Sequence, residues 1–123
     1  MATLNDRVFD NGLTVLDIEA NAVHITSQEA TTFADATSTS SLGNSTSLSI
    51  GAPQNRTGGG REVVVAAITD GTVTGTGTAT HYALVDTAAN RLLVTGSLTA
   101  SQALTNGNTF TLGSFTIGIP DPA

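Results

Sequence analysis

The sequence predicts a mainly β domain: an antiparallel β-sandwich or small barrel with one short N-terminal helix. Three observations carry that expectation. From Thr72 to Pro120 almost every residue suits a strand or a tight turn, with Thr, Val, Leu and Ile punctuated by Gly and Asn. Turn signals recur at the roughly 8–12-residue spacing of sandwiches and barrels. Only one stretch, residues 3–20, carries apolar residues at helical spacing. A chain of 123 residues fits a single domain spanning 1–123. At that length roughly two-thirds of the unfolded surface is buried on folding, enough for a core without staples.

Taken in order, residues 3–20 (TLNDRVFDNGLTVLDIEA) place Leu4, Val8, Val15 and Ile18 near one helical stripe and Phe9, Leu13 and Leu16 near another. Thr3 is a candidate N-cap, with Asp6 three residues on. Asn11-Gly12 interrupts the run, since an interior Gly costs about 1 kcal/mol against Ala. A short helix followed by a turn satisfies the same residues. Ala22 to Ser27 reads as the first strand, with Val23 and Ile25 on one face and His24 and Thr26 on the other. The Ser/Thr-rich stretch that follows reads as loop, with one helical turn at Thr31 to Ala36, and Thr46 to Ile50 as a short strand. Gly51 to Arg61 (GAPQNRTGGGR) is expected to be a flexible Gly-rich loop.

Glu62 to Ile68 is nearly continuous in apolar residues and predicts a central strand buried on both faces, with Asp70-Gly71 turning the chain after it. TVTGTGTAT suggests a Gly-rich edge or bulged strand. Residues 80–86 and 91–98 flank TAAN (87–90) as a hairpin, with Tyr82 and Leu84 on one face and His81, Ala83 and Val85 on the other. Asn106-Gly107 is the strongest short hairpin signal. Phe110 and Leu112, then Phe115, Ile117 and Ile119, alternate with Thr or Gly as the last strands. Pro120 and Pro122 end the sheet, leaving 119–123 as an extended tail.

Composition narrows function. There is no Cys, which excludes disulfides and thiolate metal sites. The aromatics are four Phe and one Tyr, so the core must be aliphatic and thin, and shared burial in an oligomer would help it. There is no Lys; Arg7, Arg56, Arg61 and Arg91 face ten carboxylates, for a net charge of −6. Nucleic acid and anionic membranes are therefore poor partners, because both need clustered cations. No apolar run approaches the roughly 20 residues of a membrane helix. The N-terminus lacks the cationic start and apolar stretch of a secretory signal, so synthesis in a cytoplasm is expected.

No motif predicts chemistry. His24 and His81 have no second His nearby in sequence, and a metal site needs three or four ligands. Ser residues, His81 and Asp86 make a triad on paper only, because no G-x-S-x-G elbow accompanies them. GTVTGTG (71–77) and GGGR (58–61) lack the order and the lysine of a phosphate loop. Asp6, Asp10, Asp17 and Glu19 do not follow calcium-loop spacing and read as a solvated acidic face. The two N-x-[ST] sites, at Asn44 and Asn55, carry little meaning without a signal peptide. The expectation is a protein that is not an enzyme, with no catalytic residues, no cofactor and no metal.

The second half carries a more specific pattern. Thr80, His81, Ala83, Leu84 and Asp86 precede a turn; Gly96 and Leu98 end the next strand; Ser101, Leu104, Gly107, Asn108, Thr109 and Phe110 lead into an alternating strand. This resembles small structural proteins of tailed bacteriophages and related prophages, closely after residue 60 and loosely before it. The resemblance implies a virion protein made in the bacterial cytoplasm, foremost a capsid decoration (cement) protein on the outside of the head. Its partners would be the major capsid protein and its own copies, as a trimer by analogy. A tail, collar or fibre component is the alternative it implies. Candidate partner contacts are Arg56 and Arg61, which could pair with acidic coat residues, together with Arg7 of the N-terminal segment and Ile119 and Pro120 of the tail, two segments that could lie along the shell or a sister subunit.

Overall fold

The computed structural model describes residues 3–4, 12–57 and 61–119. It is mainly β, with all strand pairs antiparallel. In chain order the elements are β1 (Thr3–Leu4), α1 (Thr14–Glu19), β2 (Ala22–Thr26), a π-helical turn (Asp35–Thr39), β3 (Ser41–Ser45), β4 (Gln54–Asn55), β5 (Arg61–Val65), β6 (Ile68–Val73), β7 (Gly77–Asp86), β8 (Arg91–Leu104), β9 (Thr109–Leu112) and β10 (Phe115–Ile119). Seven strands, ordered β1-β8-β7-β2-β3-β6-β9, curl into a half-barrel. A second sheet, β10-β5-β4, packs against it, so that Val63, Val65 and Ile117 join Val23, Ile25, Leu84, Leu93 and Phe110 in one mainly aliphatic core.

One long two-stranded ribbon organises the large sheet. β6 and β7 run opposite β9 and β8, with residues 74–76 and 105–108 forming a corner between the halves. Register passes through that corner unbroken: Gly77 faces Leu104 on one side, Thr72 faces Thr109 on the other. The Val73 carbonyl accepts from the Gly107 N–H at 3.1 Å, and the Val73 N–H donates to the Asn108 carbonyl at 3.0 Å. At the corner the β2–β3 hairpin inserts between β7 and β6, and the Leu42 carbonyl accepts the N–H groups of both Thr74 (2.8 Å) and Gly75 (3.1 Å). The inserted hairpin is what lets a bent ribbon become a curled seven-stranded sheet.

Bulges then aim the side chains. Leu84 faces Val94 but Val85 faces Leu92, so Leu93 is an extra residue on β8. An extra residue breaks the two-residue period. Leu93 and Val94 consequently both enter the core, while Leu92 and Val85 join a small outer cluster with Ala22, Ala30, Ala36, Ala83 and Phe33. That outer cluster lies under the segment joining β2 to β3, which explains why all five residues of β2 are buried. The alternation expected for β2 and for β7 on either side of Tyr82 holds: Val23, Ile25, Tyr82 and Leu84 face the main core, and Ala83 and Val85 the outer one.

Several sequence expectations need correction. Of the helix expected over 3–20, the described residues show Thr14–Glu19, preceded by Gly12 at φ +74°, while Thr3–Leu4 pairs with β8 as a strand; residues 5–11 lie outside the described residues. The helical turn in the Ser/Thr-rich loop lies slightly later than expected, with its π-helical part at Asp35–Thr39. The strand expected at Thr46 to Ile50 is Ser41–Ser45; only Ile50 makes an isolated bridge, to Val65. Glu62 to Ile68 is not one doubly buried strand. Val63 and Val65 are buried while Glu62 and Val64 are partly exposed, and the chain leaves the small sheet at Ala66 to enter the large one at Ile68.

Asp70-Gly71 is not a turn but lies within β6, where Gly71 faces Phe110 across the ladder. Asn106-Gly107 does turn, with Gly107 at φ +94°, yet β8 and β9 do not pair with each other. The TAAN hairpin forms as expected, closed by Asn90 at φ +52°. The Gly-rich stretch expected as an edge or bulged strand is divided between the end of β6 and the start of β7; β7 is internal, and the extra residues of the β7–β8 pair lie on β8. Gly51 to Arg61 is not loop throughout: it includes β4 and the first residue of β5.

Candidate interface

Partner-contact residues were expected in the N-terminal segment, the Gly-rich loop and the tail, and three of the five gather at one end of the small sheet. Arg61 opens β5 and stands in register with Ile119 of β10 on one side and Asn55 of β4 on the other. Its guanidinium donates to Asn55 Oδ1 at 2.7 Å and to the Pro53 carbonyl at 3.0 Å. Two of the five guanidinium N–H groups thus orient an exposed cation instead of leaving it on a loose stem. Arg56 lies across the same sheet: a Cβ on Gly118 would come within 2.9 Å of Arg56 Cδ. Gly118 therefore gives the Arg56 stem its seat, and Ile119 is half-buried beside it. Gln54 Nε2 donates to Glu62 Oε2 at 3.0 Å on the adjoining rungs. Arg7 and Pro120 lie outside the described residues.

The third described arginine, Arg91, is engaged elsewhere. Its Nη1 meets Glu19 Oε1 at 3.3 Å and ties α1 to the turn end of the β7–β8 hairpin. Such a part-exposed pair stabilises by at most about 1 kcal/mol, so its role is positional. Asn21 fixes the same corner: its Nδ2 donates to Thr87 Oγ1 at 2.9 Å and its Oδ1 accepts from the Thr87 N–H at 3.0 Å.

The paper triad does not assemble. The Thr80 hydroxyl donates to the Ser27 carbonyl at 2.9 Å, which leaves it to accept from His81 Nδ1 at 2.8 Å. Asp86, at the far end of the same strand, accepts the Ala88 and Ala89 N–H groups at 3.0 and 3.3 Å and shapes the hairpin turn. Among the described residues no three of His, Asp and Glu are grouped so as to hold a metal ion. No described helix is long and apolar enough to cross a membrane.

His24 is only 8% exposed, with Nδ1 2.9 Å from Ser41 Oγ. Burial holds its pKa below the usual 6.5, since a low-dielectric site disfavours the imidazolium. Below pH 6.5 the unfolded chain takes up a proton that the folded chain resists, so stability falls as pH drops towards the folded-state pKa. The thermal midpoint is expected to decline between pH 7.5 and 5, and His24→Gln should flatten that decline. An equal decline in the variant would show that His24 does not contribute.

The sequence reading missed a second feature. A surface cleft of about 150 Å³ opens between Tyr82, Ser97 to Ala100, Gln102 and Leu112 to Phe115. Its origin is a wide bulge: Ala79 faces Gln102 while His81 faces Ser97, so residues 98–101 stand opposite Thr80 alone. The Tyr82 and Phe115 rings form one wall, 4.3 Å apart between centroids and tilted by 43°. Tyr82 can lie there because Gly96 is its cross-strand partner; a Cβ on Gly96 would meet the phenol oxygen. The aromatic over a cross-strand glycine was the one trace of this cleft in the sequence, and it needs the strand register to be read.

Compared with protein-family models, with characterised proteins and with solved structures, the chain matches none.

Proposed function

We propose that this chain is a structural protein of a tailed-bacteriophage virion, a decoration protein that grips the outside of the head and stabilises the coat lattice. The reading draws its biological setting from the pattern Thr80 to Phe110 and its physical footing from the end of the small sheet. The observation that carries it is that Arg56, Arg61 and Ile119 gather at one end of the small sheet, with Arg61 held in a fixed pose. An oriented guanidinium beside a half-buried apolar residue suits an acidic, partly apolar partner surface, and bidentate pairing favours a carboxylate. On a chain of net charge −6 this end is a local exception, so attraction to an acidic coat is directional. Many identical weak contacts on one shell then add by avidity.

Purified protein added to undecorated heads is expected to bind and to raise their melting temperature. Arg61→Ala should weaken binding about tenfold or more while leaving the protein folded, because a charge-assisted contact is worth roughly 1.5–3 kcal/mol. Absence of binding would overturn the reading. Immunogold labelling confined to the tail or one vertex would move the protein to a tail, collar or fibre.

A further inference from the structure

Two surface features at opposite ends of β8 complement one another. Ile18, on α1, is 75% exposed and is the exposed large hydrophobic residue among those described. Leaving such a side chain in water forgoes about 1.5–3 kcal/mol of burial. The other feature is the cleft, floored by Tyr82, Leu98, Leu112 and Phe115. Its volume of about 150 Å³ falls well below the roughly 300–1,000 Å³ of small-molecule pockets. A space of that size accommodates one benzene ring, and so one branched aliphatic side chain.

The two cannot meet within one chain. Glu19–Arg91 and Asn21–Thr87 fix α1 at the turn end of the β7–β8 hairpin. Leu98 lies seven residues along β8 from Arg91, roughly 23 Å at strand rise. We propose that copies of this chain associate head to tail, the Ile18 side chain of one protomer entering the Tyr82–Phe115 cleft of the next.

Polar groups around knob and hole match as well. Asp17 is exposed beside Ile18, and an ionised carboxylate only accepts. The rim of the cleft carries the hydroxyls of Thr99 and Ser114, which donate, and among the described residues no charged side chain lines it. An apolar anchor in a pocket, ringed by polar groups that exclude water, is the usual form of a binding hot spot. Because the two surfaces differ, the contact is heterologous, and such contacts close into rings rather than two-fold dimers when the rotation allows. The interface holds whatever larger assembly the protein serves.

The test begins with sedimentation of the intact protein over a wide concentration range, where a concentration-dependent oligomer is expected. Ile18→Asp and, separately, Thr99→Arg should each weaken association roughly tenfold to a hundredfold. Both positions are exposed, so far-UV circular dichroism should remain unchanged. The chain has no cysteine, which allows a sharper experiment. Ile18→Cys mixed with Thr99→Cys should give a disulfide-linked pair under mild oxidation, and neither variant alone should cross-link. Monomer at every concentration, oligomers unaffected by Ile18→Asp, or efficient self-linking of Ile18→Cys would each overturn the proposal.

Discussion

Gly43→Ala is expected to be among the most destabilising single-methyl additions this chain can suffer. A Cβ at that position would lie 2.5 Å from the Thr72 carbonyl oxygen and 3.2 Å from Val73 Cα. Both obstacles are backbone, so no side-chain rotation relieves them. The β3–β6 pairing must open at the site where the inserted hairpin joins the corner of the ribbon. Overpacking typically costs about 1–3 kcal/mol, and backbone displacement puts this case at or above the upper end. For a domain of this size that lowers the thermal midpoint by roughly 10 °C or more. A calorimetric midpoint within about 2 °C of the parent would show that β3 and β6 do not approach as closely as described.

Phe110→Ala is expected to cost about 3–5 kcal/mol, the range for removing a buried aromatic side chain. Phe110 is the buried aromatic ring among the described residues and fills the space above two glycines: a Cβ on Gly71 would collide with the ring, and one on Gly43 would lie 3.3 Å from it. The two glycines can be told apart by double-mutant cycles. The nearest obstacles to a side chain in Gly71→Ala are all atoms of the ring, so in a Phe110→Ala background its cost should largely vanish. Gly43→Ala is obstructed by backbone, so its cost should persist. Denaturant midpoints of the two cycles decide this: strong coupling for Gly71 and near-additivity for Gly43 are expected. The reverse pattern would mean that the ring, not the Thr72 carbonyl, excludes a side chain at Gly43.

The candidate interface was partly legible for a simple reason. With no lysine and four arginines, any cationic contact had to involve Arg7, Arg56, Arg61 or Arg91. Composition could not tell that Arg91 is tied to Glu19, nor that Arg56 rests on Gly118 and Arg61 on Asn55. Those facts depend on which strands are neighbours. The cleft was illegible because it is made by a bulge, and a bulge exists only relative to a partner strand.

Period-two alternation, the TAAN turn and the aliphatic composition were enough to establish from the sequence alone a β-rich chain with an aliphatic core. They were also enough to assign Val23, Ile25, Tyr82 and Leu84 to one side of their strands. These are local properties: each follows from a residue and its near neighbours, and backbone geometry enforces them whatever lies further away. Only the tertiary structure decided that Asp70-Gly71 runs straight through a strand, that Asn106-Gly107 bends a ribbon without pairing its flanks, and that Ser41–Ser45 is a strand despite its polar composition. In each case a glycine that locally suggests a turn is needed for something else: a ring lies against Gly71, a backbone against Gly43, and Gly107 turns a corner between two pairings. The missing Cβ permits a turn and a close approach equally well, and which one occurs is settled by the atoms that arrive from elsewhere in the chain.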